Sequence, residues 1–301
     1  MVYRSWCVSV TCKLHGFVIF IIIMESLKAK EIKYHILKNN EKVNFAPFPY
    51  LRDADGDKIM WSVSPNHGRS YVVDKDKGKY IISKGNGLSY TQYKSIYTSE
   101  YGNNIWGLSL REDAERDFLL GLEIQSLGIK TNTMECVLEL EYTVQLTNGV
   151  IIKPVLLQYS VECPYRIYDT AYMPKVELEK QVNKWERLNK KDYDKPYLIA
   201  ADILVSNLRT MHSNNILHNA IHPHNYTWAL ELLDFELSYS PRHPYLKRED
   251  NEQVAILMKR EILQTYEVIK HIAFGIGDNI DYAQVDNIFD EYGFDLSKLK
   301  V

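Results

Sequence analysis

The sequence predicts an α+β protein of two lobes, and three observations carry that reading. Strand signals fill the chain from about residue 25 to about residue 160, with one helix among them. Helical periodicity dominates beyond about residue 170. Between the two halves lies a connector with two prolines, Cys163 to Pro174. The chain has 301 residues, enough for two lobes sharing a cleft. We place the boundaries at 1–24, a hydrophobic N-terminal segment; 25–165, a strand-rich lobe; and 166–301, a helical lobe.

The elements follow in order. Tyr71-Val72-Val73 and Lys79 to Ile82 flank a polar Asp74–Gly78 turn and read as a hairpin, closed by Lys84-Gly85-Asn86-Gly87. Residues 111–127 read as a helix, because Ala114, Phe118, Leu119, Leu122 and Leu127 recur near helical spacing and Gly128 suits the stop. Val137 to Leu146 and Val150 to Val161 are β-rich runs joined by Thr147-Asn148-Gly149, a hairpin signal. Helices are then expected over Val176–Leu188, Pro196–His212 and 251–274, the last ending near Gly275.

Composition bounds the function. Hydrophobic residues make up 46% and charged residues 25%, ordinary for a packed globular chain. A net charge of −3 argues against a nucleic-acid binder that relies on a basic surface. The four cysteines Cys7, Cys12, Cys136 and Cys163 form no C-x-x-C pair and no zinc-like spacing, so a reducing, cytoplasmic setting is expected. The apolar run Gly16–Met24 is far shorter than the ~20 residues of a membrane span. Three readings of it stay open: a start at Met24 with an added upstream stretch, a membrane-targeting segment, or a further strand. Membrane contact through residues 16–24 is not the favoured one.

The chemistry is concentrated in 216–237, ILHNAIHPHNYTWALELLDFEL. A helix end leads into a polar loop, a short β-like run and then Asp234-Phe235. Kinase-fold enzymes need this order: the loop presents a base and a metal-binding Asn, and a hairpin returns a second metal ligand in an Asp-Phe-Gly element. Asn225 and Asp234 fit the two metal positions, offering the hard oxygen donors that Mg²⁺ (or Mn²⁺) prefers. Glu236 stands where glycine is usual. Ala220 stands where the kinase base aspartate would be, two residues after His218, and alanine accepts no proton. His212, His218, His222 and His224 also raise a zinc reading, but the acidic residue of a zincin is missing and Pro223 points to a loop.

The segment resembles that of the selenoprotein O family, kinase-fold proteins that transfer AMP from ATP to protein hydroxyls. The family reads H-G-V-x-N-T-D-N; this chain reads His218-Asn219-Ala220-Ile221-His222-Pro223-His224-Asn225, and Asp234 follows at the family's spacing. The family's K-G-x-G, R-E-F-L and L-G-I-P-T appear as Lys84-Gly85-Asn86-Gly87, Arg116-Asp117-Phe118-Leu119 and Leu127-Gly128-Ile129-Lys130-Thr131. The resemblance covers roughly residues 70 to 245. It implies a two-lobed protein-kinase-like fold in which Lys84 grips nucleotide phosphates, Asp117 pairs with Lys84, and Arg166 lies near phosphate. It also implies ATP as substrate, Mg²⁺ as cofactor and an unspecified protein as acceptor.

Three departures bear on the reaction. The family's catalytic Asp is His224 here, and an imidazole is a base near neutral pH. The family's first phosphate-orienting arginine falls near Gln158 or Tyr159, where no cation stands. The family's N-terminal glycine motifs and C-terminal extension are missing. The favoured expectation is an ATP-dependent protein adenylyltransferase with His224 as base; the alternatives are a catalytically inactive pseudokinase that acts as a binding or scaffold protein, and a kinase-like phosphotransferase with a relocated base.

Overall fold

The computed structural model describes residues 11–14, 17–20, 25–64, 67–87, 107–145, 149–243 and 251–296. Gly16 and residues 21–24 of the N-terminal apolar run, and Thr147-Asn148 of the expected turn, lie outside them. Thr11–Leu14 (β1) and Phe17–Phe20 (β2) form an antiparallel pair. No helix among the described residues is long and apolar enough to cross a membrane.

The first lobe is built on an eight-stranded antiparallel sheet. Its strands are Glu25–Glu31 (β3), Tyr34–Asn39 (β4), Tyr50–Arg52 (β5), Lys58–Ser62 (β6), Ser70–Asp76 (β7), Lys79–Lys84 (β8), Thr133–Leu140 (β9) and Val155–Val161 (β12). Their spatial order is β4-β9-β12-β8-β7-β6-β3-β5. The β7–β8 hairpin forms as expected, but its turn is shorter than Asp74–Gly78: Asp74–Asp76 pairs with β8 and the chain reverses at Lys77-Gly78. β9 pairs with β12 as expected, but begins at Thr133. The polar-looking opening TMEC does not read as a strand, yet Glu135 is buried there and accepts from Gln158 Nε2 at 2.7 Å. The tip of this long hairpin is a separate short pair, Val144–Gln145 (β10) with Ile151–Ile152 (β11).

Alternation along β12 sorts the two sheet faces. Val155, Leu157, Tyr159 and Val161 enter the main core, while Leu156 joins an outer cluster with Cys136, Leu138 and Leu140. Gln158 belongs to the outer face as well. It accepts from the Phe48 amide at 2.9 Å and donates to the Ala46 carbonyl at 2.7 Å, so it pins the segment that crosses that face. Gln158 thus faces away from the main core, and the neighbouring Tyr159 is the side chain that faces inward.

Arg111–Ser126 (α1) packs on β9 and β12 with Ala114, Asp117, Phe118, Leu120, Gly121 and Ile124 buried. Gly121 is needed there, because a Cβ would meet Met134 and the ring of Phe235. Gly128 ends the segment at φ +81°, open to a residue without a side chain. The second lobe holds Lys175–Glu186 (α2), Pro196–Ser213 (α3), Asn251–Ile276 (α4) and Tyr282–Glu291 (α5), with α3 against α2, α4 and α5. The connector contains a 3₁₀ turn, Ile167–Tyr172. A strand-rich lobe with one inward helix, joined by a connector to a helical lobe, is the two-lobed kinase-like α+β architecture.

Candidate functional site

Three sequence positions far apart in the chain, Lys84, Asp117 and Asp234, meet at the junction of the lobes. Lys84 ends β8 with its ammonium directed inward, as the alternation Ile82, Lys84 requires. Its Nζ lies 2.8 Å from Asp117 Oδ2 on α1 and 2.5 Å from Asp234 Oδ1. The second Asp117 oxygen accepts from the Phe235 amide at 2.9 Å. Asp117 thus ties helix, strand and the Asp-Phe turn together, and its shorter side chain still reaches Lys84. Asp234 adopts φ +68°, a left-handed conformation that aspartate tolerates better than most residues.

The electrostatics follow from this crowding. Burial disfavours charge on Lys84, but Asp117, Asp234 and Glu236 outweigh it and raise the ammonium above its ordinary value. Burial opposes ionisation of Asp234 too, yet Lys84, Arg69 and Arg166 hold its carboxyl well below the usual carboxylate range. Asp117 moves up, because its own burial exceeds what Lys84 returns. Asp117, Asp234 and Glu236 bring oxygens within 4.8 Å of one another, a spacing that suits a cation. The Lys84 ammonium, bonded to all three, is the cation already there.

Asn225 sits in a short 3₁₀ turn, Pro223–Asn225, whose lead residue His222 accepts from the His224 amide at 3.3 Å. Asn225 Nδ2 donates to the Ala220 carbonyl at 2.9 Å, and its backbone carbonyl accepts from Leu233 at 2.9 Å. With the amide nitrogen so used, Oδ1 is the atom of Asn225 suited to a metal. The chemistry of Asn225 and Asp234 therefore fits Mg²⁺, although one Asp234 oxygen is engaged by Lys84.

His224 stacks on Tyr168, with centroids 3.9 Å apart, and on His222 at 4.9 Å. Burial, His222 and Arg166 together push its imidazole down to about 4, which leaves it neutral and only weakly basic near pH 7. Arg166 donates from Nη1 to the His224 carbonyl at 2.7 Å, so its guanidinium braces the loop. His218 is fully buried, bonds through Nε2 to the Leu233 carbonyl at 2.8 Å and packs edge-on against Phe235. It holds the loop to the returning hairpin.

Several residues of the site have no local signal. Glu261 on α4 accepts from the Asn219 amide at 2.6 Å and bonds His212 at 2.9 Å, anchoring the loop from beneath. Arg69, just before β7, places one Nη2 at 2.5 and 2.6 Å from the two Glu236 oxygens. Asp169, fully buried in the connector's 3₁₀ turn, accepts from Ser64 Oγ at 2.6 Å, from His67 and from the Arg166 amide. These contacts fasten the β6–β7 segment across the cleft at both ends. Beneath it, Ile82, Tyr159, Val161, Cys163, Thr227 and Leu233, with His67 and Arg166, enclose only about 10 Å³ of free volume, room for one water. A larger open hollow of about 550 Å³ lies elsewhere, between α2, the start of α3 and the end of α4. There Lys175 faces Glu179 and Lys195 faces Asp278 across surface distances of 3.8 Å, with no Ser, Thr, Cys or His among the lining residues.

One buried acid couples the connector to the second lobe. Glu231 accepts from the Glu162 amide and from Thr227 Oγ1, both at 2.8 Å. Burial pushes its carboxyl up to about 7, against the lowering effect of those hydrogen bonds. A carboxyl raised on folding contributes stability that is complete below its unfolded value of about 4.3 and is lost as pH rises to the folded value. Stability should therefore decline between about pH 4.3 and 7, by at most roughly 1.4 kcal/mol per unit from this group. Glu231→Gln is expected to flatten that slope in urea titrations run from pH 4.5 to 8; an unchanged slope would place its origin elsewhere.

No family model matches the sequence, and no curated protein matches it at a significant level. Among solved structures, the chain is similar to a Toxoplasma gondii specific rhoptry antigen kinase domain, at 9% identity and a TM-score of 0.38. That similarity covers 78% of this chain and 76% of the other. It is also similar to a PAN3 pseudokinase mutant of Neurospora crassa, at 10% identity and a TM-score of 0.33, covering 86% of this chain and 52% of that one. This chain thus spans about half the length of the second neighbour.

Proposed function

We propose that this chain is a kinase-fold pseudoenzyme that acts as a binding or scaffold protein. The observation that carries the reading is Ala220 in the base position, which offers no group to accept a proton. The weakly basic His224 points the same way, and the described residues beneath the β6–β7 segment enclose a cavity of only about 10 Å³. The experiment is calorimetric titration with ATP and Mg²⁺, paired with incubation in α-³²P- or γ-³²P-ATP beside Asp234→Ala. We expect no binding heat and no label in either protein.

A second reading, AMP transfer to protein hydroxyls, is favoured by the Asn225–Asp234 pair. Asn225 keeps Oδ1 for a cation, and Asp234 stays ionised far below neutral pH. In that reading Lys84 and Arg166 would neutralise phosphate charge, and His224 would take the acceptor proton. Label from the α-phosphate alone, lost in Asp234→Ala, would replace the first reading with this one. Label from the γ-phosphate alone would favour phosphoryl transfer.

A further inference from the structure

Glu236 is placed where neither a nucleotide site nor a collapsed core requires a charge. It follows Asp234 and Phe235 on the same turn, and its side chain is only 21% exposed. Its two oxygens straddle Arg69 Nη2, and Oε2 lies 3.2 Å from Lys84 Nζ. Lys84 does not need it for neutrality, since Asp117 and Asp234 already flank the ammonium more closely. The result is a partly buried cluster in which Lys84 and Arg69 face Asp117, Asp234 and Glu236, with Arg166 and Asp113 close enough to act on it. A carboxylate and a phosphate use the same kind of oxygen acceptors toward guanidinium and ammonium donors. Glu236 therefore makes, from within the chain, the contacts that a phosphate group would make with Arg69 and Lys84.

We propose that Glu236 is an internal counter-anion that holds the Arg69–Lys84 pair and excludes phosphate-bearing ligands from the cleft. The inference deepens the pseudoenzyme reading and rests on it for the closed state of the site. An entering polyphosphate must displace Glu236 from Arg69, and it then meets a cluster that is still negative in excess. Removing the charge of Glu236, with its shape kept, takes one carboxylate out of the cluster and raises the pull of Arg69 and Lys84 on an external anion.

Inorganic pyrophosphate is the probe, because it carries the anion chemistry and needs no space for a base. Its affinity is measured by calorimetry at low ionic strength, with and without Mg²⁺, for wild type, Glu236→Gln and the double variant Arg69→Gln/Glu236→Gln. We expect Glu236→Gln to bind about tenfold or more tightly than wild type, the worth of one charge-assisted hydrogen bond. The double variant should lose that gain, and added salt should shrink it. Equal affinity of wild type and Glu236→Gln, whether weak or tight, overturns the inference. Should Glu236→Gln fail to fold, Glu236→Asp keeps the charge but withdraws it by one methylene. It should bind several-fold tighter than wild type, and equality there is equally fatal. ATP binding by wild type bears instead on the pseudoenzyme reading, so the two failures are distinguishable.

Discussion

Replacing Lys84 with methionine is expected to destabilise the fold by about 3–5 kcal/mol at neutral pH, the cost of removing one partner from a buried ion pair. Against a total of roughly 5–15 kcal/mol, that threatens folding itself. The cause is what remains behind. Asp117, Asp234 and Glu236 would face one another within 4.8 Å, with Arg69 bonded to Glu236. The pH dependence carries the signature. In wild type Asp234 is depressed, so its contribution is complete above the ordinary carboxylate range and is lost only as pH falls toward its low folded value. In Lys84→Met the carboxylates repel, their folded values rise, and stability falls as pH climbs from about 4 through those values. The deficit should thus narrow on acidification from pH 7 to 5 in urea titrations. A variant within about 1 kcal/mol of wild type at pH 7 would show that the cluster is far less tightly coupled than its distances imply.

What the sequence made legible was local. The β7–β8 hairpin, α1, α3 and α4 follow from periods of two and 3.6 residues, and the order Lys84, Asp117, Asn225, Asp234 could be read from motif spacing. The closure of that order into one site could not, because Lys84 meets Asp234 across 150 residues. Residues with no motif were hidden entirely. Arg69 reaches Glu236 across 167 residues and His67 reaches Asp169 across 102, and no short window records either pairing. Glu236 was visible as a departure from glycine, but its consequence depends on Arg69. His224 is the sharper lesson. Its residue type suggested a base near neutral pH, whereas burial, with His222 and Arg166 beside it, pushes the imidazole down to about 4.

Asp169→Ala should open the cleft, because Asp169 joins the β6–β7 segment of the first lobe to the connector. Its carboxylate is fully buried and accepts three donors, so truncation leaves Ser64 Oγ, the His67 ring and the Arg166 amide to find new partners. The expected cost is about 3–5 kcal/mol, and Asp169→Asn should cost less because it keeps the shape and one acceptor oxygen. Hydrogen exchange separates this from general weakening. Peptides spanning 63–70 and 166–172 should lose protection first, while α3 and α5 keep theirs relative to global stability. Unchanged exchange in 63–70 would mean that contacts other than those to Asp169, Arg69–Glu236 among them, keep the segment down. The same variant also bears on why the cleft is closed. If Asp169→Asn gains affinity for ATP with Mg²⁺ while wild type has none, the fold retains a nucleotide site and the latch conceals it. If neither protein binds, the side chains beneath the segment, Ile82 and Tyr159 among them, fill the space themselves, and closure belongs to the core rather than to the strap above it.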